Sequence, residues 1–281
     1  MSRLLFWDGG QGVAAEIATA CAIMLGLHYP KRVLLLNQGR VSSGPEEGLR
    51  QSILRHQAGR ADESLAEFGV DALLRMAASG RLKPENFADY TLPLLRGRLD
   101  LAGGLQHGGL ALGGESDREV TAMLQMAEQT YDLVVMHLQG RRRLSEALRS
   151  RHEGDIMIAV LPQRRAQLEL FFADVAPYLV RQHPGICVVI SSFDANSHWN
   201  LANIQRRYKS SLPIFGIPHH SEFSDTWNDQ DILSFFRKYK WVPKPKNAHQ
   251  QLLDQFYRLG GKLLKLAEVK AHNGSRQEKG A

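Results

Sequence analysis

Cysteine is nearly absent from this 281-residue chain: Cys21 and Cys187 lie far apart and form no CxxC pair. That excludes a disulfide framework and a thiolate zinc site, and both thiols read as small buried hydrophobes of a reducing compartment. No apolar run approaches the ~18 residues that a membrane-spanning helix needs. The start has no secretory h-region or cleavage site, because Arg3-Leu-Leu-Phe-Trp runs directly into Asp8-Gly-Gly. The expectation is a soluble, cytoplasmic protein. General disorder is excluded too, since 43% of residues are hydrophobic against 23% charged. α/β sheets of this length commonly fold as one domain.

Excess positive charge is missing from most of the chain. The formal charge is +6, yet from Arg237 onward 11 Lys/Arg face only 3 Asp/Glu, leaving 24 basic and 26 acidic residues before it. The surplus therefore sits in the last sixth of the sequence. It argues for an acidic contact there rather than for a basic domain.

Short continuous apolar runs alternate with longer helical patterns. Strands are expected at Arg3–Trp7, Arg32–Leu36, Arg98–Gly103, Asp132–Leu138, Asp155–Leu161, Ile186–Ser191 and Pro213–Ile217. Helices are expected near Gly12–Leu27, Glu46–Gln57, Ser64–Ser79, Asp117–Thr130, Leu144–His152, Gln167–Arg181, Asn200–Lys209 and Asp229–Tyr239. Runs dense in Val, Ile and Leu suit strands covered on both faces. The β-α alternation predicts an α/β fold, a doubly wound and mostly parallel sheet with helices on both faces. Gln106–Gly114 is glycine-rich and reads as a mobile loop, and Pro243-Lys-Pro-Lys-Asn247 as a broken connection before a final helix. That helix, about Ala248–Lys270, carries Leu252, Leu253, Phe256, Leu259, Leu263, Leu264 and Ala267 on one side, with Arg258, Lys262 and Lys265 opposite. Residues 1–270 form the expected domain, and 271–281 a flexible polar tail.

The first strand meets a glycine-rich turn and then a helix, through Leu4-Leu-Phe-Trp-Asp-Gly-Gly-Gln-Gly-Val-Ala-Ala. At the carboxyl end of a first parallel strand, such a turn aims backbone N–H groups at an anion. A glycine turn alone is weak evidence, since an ordinary α/β turn has the same composition. Here the chain resembles the ParA/MinD family of P-loop ATPases, whose deviant Walker A loop reads Lys-Gly-Gly-x-Gly-Lys-Thr-Thr. Gly9, Gly10 and Gly12 match its glycines, with Gln11 at the variable position. Lys31-Arg-Val-Leu-Leu-Leu resembles the family's second strand. Tyr131-Asp-Leu-Val-Val-Met-His-Leu-Gln-Gly resembles its Walker B strand.

Measured against that pattern, the departures are systematic. Asp8 stands where the family has its signature lysine, Val13 where the phosphate-gripping lysine belongs, and Ala14 where a hydroxyl would hold Mg²⁺. Asn37 replaces the switch aspartate and His137 the Walker B aspartate, while Ser191 takes the place of an asparagine that contacts adenine. Two cations and the metal's ligands are gone, and a carboxylate stands where phosphates would approach. The resemblance therefore implies the fold without its chemistry. The expected site holds remnants only: no catalytic residue, no metal and no cofactor, with weak ATP binding left open.

Phe68-Gly-Val-Asp-Ala-Leu-Leu-Arg-Met, Asp194-Ala-Asn-Ser-His-Trp-Asn and Gly216-Ile-Pro-His-His-Ser-Glu-Phe further resemble a MinD-like group of Firmicutes. That group is associated with tight-adherence (Flp-type) pilus or related secretion loci. Arg141, Arg142 and Arg143 follow the Walker B-like strand, where they suit an anion or an acidic partner, although a solvated helix start explains them as well. His137 with His219 and His220 lacks a third ligand at a metal spacing.

Three functions stay open on sequence. The first is a non-catalytic scaffold or localisation protein for an envelope assembly, with a protein partner and nucleotide-independent self-association. The second is an unusual ATPase that draws cations from Lys31, Arg40 or the Arg141 cluster. The third is a ParA-like DNA-partition protein using its basic C-terminal region. Peripheral contact with the inner face of a membrane through the final helix also stays open, although packing on the core explains its apolar face better.

Overall fold

In the computed structural model, residues 2–9, 12–57, 68–105, 117–140, 144–145, 152, 154–182 and 185–277 are described. Eight strands form one sheet: β1 (Ser2–Trp7), β2 (Val33–Gln38), β3 (Leu92–Leu95), β4 (Leu99–Ala102), β5 (Leu133–Leu138), β6 (Ile156–Pro162), β7 (Ile186–Phe193) and β8 (Ile214–Pro218). Their spatial order is β3-β4-β2-β5-β1-β6-β7-β8, and every pairing is parallel except β3 with β4. β1, β2 and β5 are buried along their whole length, which is why their sequences are unbroken apolar runs rather than alternations. Side chains alternate between the two faces. Leu4, Phe6 and Leu35 join one core while Leu5, Trp7, Leu34 and Leu36 join the other.

Helices α1 (Val13–His28), α2 (Glu46–Gln57), α3 (Val70–Ala78), α4 (Pro84–Phe87) and α5 (Asp117–Thr130) fall in the first half. In the second half are α6 (Arg165–Leu170), α7 (Ala176–Gln182), α8 (Leu201–Tyr208), α9 (Ser221–Asn228), α10 (Ile232–Lys238) and α11 (Ala248–Gln277). A π-helical turn over Phe171–Val175 joins α6 to α7. α1 has almost no polar face, and it needs none, because it lies between the sheet and α11.

Each expected strand is present, shifted by a few residues at most. β3 is an addition: four residues with exposed Pro93, antiparallel at the sheet edge, too short to carry a periodic signal and tolerant of proline because it is an edge. α4, α9 and a 3-10 turn at Val41–Ser43 are additions too. The expected helix over Leu144–His152 and the loop Gln106–Gly114 lie largely or wholly outside the described residues. The final helix runs to Gln277, past its expected end near Lys270. Its apolar face is core: Leu252, Phe256, Leu259 and Leu263 are fully buried, and Ser2 Oγ meets the Ala267 carbonyl at 3.5 Å. No described helix is long and apolar enough to cross a membrane.

At the amino-terminal edge of the sheet, Arg3 is buried beside the fully buried Asp155. Its Nε and Nη2 donate to the two carboxylate oxygens at 2.7 and 2.5 Å. This bidentate pair closes the end of β1 opposite the glycine turn.

Candidate functional site

The glycine turn lies at the carboxyl edge of the sheet, where β1 runs between β5 and β6. Parallel strands place their following loops on this edge, which is where ligands bind in open α/β sheets. Gly9 (φ 70°) and Gly12 (φ 82°) adopt left-handed conformations, and Gly12 is the N-cap of α1. Those dihedrals are the reason for glycine at both positions. Gly10 and Gln11 lie outside the described residues.

Gly12 has no side chain with which to cap α1, and Asp8 supplies the cap instead. Its Oδ2 accepts the backbone N–H of Ala14 at 2.8 Å. Asp8 is buried, with 4% of its surface exposed. The free N–H groups and dipole at a helix start attract an anion, and here the chain meets that demand with its own carboxylate. Val13 is half-buried against the core and Ala14 is fully buried, so neither offers a polar atom to a ligand.

Asn37 and His137 are direct neighbours across β2 and β5. His137 Nδ1 lies 3.0 Å from Asn37 Oδ1, and that oxygen also accepts the Gly39 N–H at 2.9 Å. Asn37 Nδ2 donates to Glu46 Oε2 at 2.8 Å and to the Arg40 carbonyl at 3.2 Å. Because Oδ1 is the accepting end of the amide, His137 must donate from Nδ1, which leaves Nε2 with its lone pair. Burial holds the imidazole down to about 4, partly opposed by the charge of Asp8. His137 is therefore neutral near pH 7, and no carboxylate remains at either position from which the sequence pattern removed one.

Glu46 completes the network, and no motif in the sequence marks it. Its second oxygen accepts from the Gly104 N–H, and burial pushes its carboxyl up to about 7 against the hydrogen bonds it receives. Space for this arrangement comes from glycine: a Cβ at Gly44 would come within 2.0 Å, and one at Gly104 within 2.4 Å, of Asn37 Nδ2. Glu16, in the first turn of α1, is also pushed up to about 7, by burial and then by the charge of Glu47. Gln139 accepts the Arg40 N–H at 3.0 Å and donates to Ser43, tying the end of β5 to the 3-10 turn after β2.

The other expected residues that are described make no hydrogen bond to this network. Ser191 is buried in β7, and its hydroxyl bonds weakly to the Leu161 carbonyl at 3.4 Å. Arg258, Lys262 and Lys265 are exposed on α11, and Arg258 pairs with Asp254 at 2.6 Å. Gly260 of α11 faces Leu25 and Tyr29, at the far end of α1, a helix roughly 24 Å long. Lys31 precedes β2, at the opposite sheet edge, so it cannot serve the turn as a substitute cation. Arg141, Arg142 and Arg143 lie outside the described residues. His220 caps α9, its Nδ1 accepting the Phe223 N–H at 3.2 Å, and its ring meets His249 edge-on rather than His137.

Among the described residues, the turn lacks the groups that the family pattern uses for phosphate and metal. The helix start is capped by a carboxylate, and no lysine or hydroxyl stands at positions 13 and 14. The two strand ends that would face the metal carry an amide and a neutral imidazole.

No family model and no curated protein matches the chain. Solved structures do. A ParA family ATPase from Chlorobium tepidum superimposes with a TM-score of 0.67 at 14% identity, over 92% of this chain and 98% of that one. MinD in the MinC:MinD complex of Aquifex aeolicus gives 0.63 at 14% identity, over 93% and 96%. The septum site-determining protein MinD of Pyrococcus horikoshii, solved with Mg-ADP, gives 0.61 at 15% identity, over 96% and 99%. The chain therefore has the fold of the ParA and MinD ATPases, an eight-stranded, mostly parallel sheet wrapped by helices.

Proposed function

We propose that this chain is a ParA/MinD-type protein that has given up nucleotide chemistry and acts as a scaffold or localisation factor. The observation that carries the reading is the Asp8 carboxylate on the Ala14 N–H, at the helix start where a phosphate would otherwise be held. A phosphate brought beside that carboxylate meets like-charge repulsion of a few kcal/mol at intermediate dielectric, about 4 kcal/mol per unit charge pair at 4 Å. No cation on the turn offsets it. The replaced residues at 13, 14, 37 and 137 support the same conclusion, because phosphoryl transfer relies on a lysine, a metal-holding hydroxyl and carboxylates.

The work of such a protein lies in what it binds. The Aquifex MinD structure holds a protein partner, MinC, and a protein partner is the reading we extend to this chain. The stretches around Phe68, Asp194 and Gly216 resemble MinD-like proteins of tight-adherence pilus and secretion loci, so the proposed role is placing or regulating an envelope assembly from the cytoplasmic side. Hydrolysis tests the catalytic half of this. Purified protein with millimolar Mg-ATP is expected to release phosphate no faster than buffer. Turnover abolished by Gly12→Val would overturn the reading.

A further inference from the structure

Beside the former nucleotide edge lies a cavity of about 790 Å³ that the scaffold reading leaves unused. It opens between α2, the 3-10 turn after β2, the start of α3 and the ends of β3 and β4. Its volume is within the ~300–1,000 Å³ of ordinary small-molecule sites. Among the described residues, the apolar part of the lining is aliphatic, from Val41, Ile53, Leu92, Leu101 and Leu105 with Phe68 the one aromatic side chain, and polar Ser42 and Gln230 stand beside it. A flat aromatic ligand would find little to stack on there, whereas a flexible alkyl chain can lie against the aliphatic side chains.

Two arginines, Arg40 and Arg50, also line the cavity, and both are exposed. Among the described residues, neither guanidinium has an ion pair or a side-chain hydrogen bond. Neighbouring polar groups are tied down: Gln139 holds the Arg40 backbone and Ser43, and Arg55 on α2 pairs with Asp231 at 2.6 Å. Two unpaired forks over an aliphatic wall form a site with an unmet charge at one end and apolar surface at the other.

We infer that this cavity binds an amphipathic monoanion, a medium-chain aliphatic carboxylate, with its chain on the aliphatic wall and its head between Arg40 and Arg50. Of the acids that share the lining, Glu46 is pushed up to about 7 by burial, with both oxygens engaged by Asn37 and Gly104, and the exposed Glu47 is outnumbered by the two arginines. Glu46 belongs both to the cavity lining and to the Asn37–His137 network. The inference does not depend on the absence of nucleotide binding.

Calorimetric titration of the full chain with sodium dodecanoate, kept below its micelle concentration, is the test. Saturable 1:1 binding is expected. Dodecanol, with the same chain and no charge, should bind at least tenfold more weakly, and so should dodecanoate to the Arg40→Ala/Arg50→Ala double variant. Val41→Trp, which fills the half-exposed wall, should abolish binding while circular dichroism shows an unchanged fold. Absence of saturable binding to the folded wild-type chain overturns the inference. So does equal affinity for dodecanol, or unchanged affinity in the double variant, either of which marks unspecific apolar adsorption. Acetate binding as tight as dodecanoate would also overturn it, because the cavity would then contribute nothing.

Discussion

Asp8 Oδ2 accepts the Ala14 N–H at 2.8 Å, so the first helix of the domain is capped by the residue that directly follows the first strand. Side-chain caps of this kind contribute ~0.5–2 kcal/mol, typically about 1. Asp8→Ala should therefore lower unfolding stability by about 1 kcal/mol in urea titrations, and Asp8→Asn, which keeps an acceptor, by less. The Ala variant should also gain what the wild type lacks. Millimolar phosphate should raise its melting temperature more than that of the wild type, because the helix start is then open to an external anion. Equal phosphate responses would show that Asp8 does not fill the site.

Glu46 links stability to pH. Its folded carboxyl sits at about 7, above its ordinary value of 4.5. The folded state therefore binds the proton more tightly, and the associated stability is complete below about pH 4.5 and lost as pH rises through about 7. Glu46→Gln removes this dependence. The variant will be less stable overall, since an amide has one acceptor oxygen for two donors, Asn37 Nδ2 and Gly104 N–H. The readout is the slope: the deficit of the variant relative to wild type should shrink as pH rises from 4.5 to 8, by an amount on the order of 2–3 kcal/mol. His137, held down to about 4, gives the opposite slope, with stability present above pH 6.5 and lost as pH falls through about 4. It is common to both proteins and cancels in the difference. A pH-independent deficit would place Glu46 outside the buried network.

On α11 the two faces should respond differently. Phe256 is fully buried, and Phe256→Ala should cost ~3–5 kcal/mol by chemical denaturation. Lys262→Glu and Lys265→Glu, both exposed, should stay within ~0.5 kcal/mol. Arg258→Glu should cost more than either. Arg258 pairs with Asp254, whose side chain is only 7% exposed, and reversal sets two carboxylates together. A stable Phe256→Ala protein that has lost partner or membrane binding would show that the apolar face of α11 works outward.

Self-association, whatever its extent, should be indifferent to nucleotide. Sedimentation-velocity profiles with and without Mg-ATP are expected to superimpose, since Asp8 stands where a lysine reaching across a dimer would be. A species that dimerises only with ATP would contradict this.

The parallel core was legible in the sequence because strands covered on both faces spell unbroken apolar runs, and α11 because its buried residues keep a 3.6 period. β3 was not, since Leu92-Pro-Leu-Leu95 is too short to show a period and its proline reads as a break. Asp8, Val13, Ala14, Asn37 and His137 were found by setting a motif against the chain. What they do to one another was invisible there. That Asp8 turns back to cap α1, and that Asn37 joins His137 to Glu46, depend on strand register and on room left by Gly44 and Gly104. Glu46 itself looked like any acid in the first turn of a helix. No local pattern marks a side chain whose partners come from β2 and from the loop after β4.

Equilibrium nucleotide binding tests the central claim most directly. Isothermal titration of the wild-type chain with Mg-ATP and with Mg-ADP, at protein concentrations that detect millimolar affinity, should give no saturable heat. Saturable binding that Gly12→Val removes would contradict the account, because the turn would then be holding phosphate despite the carboxylate of Asp8.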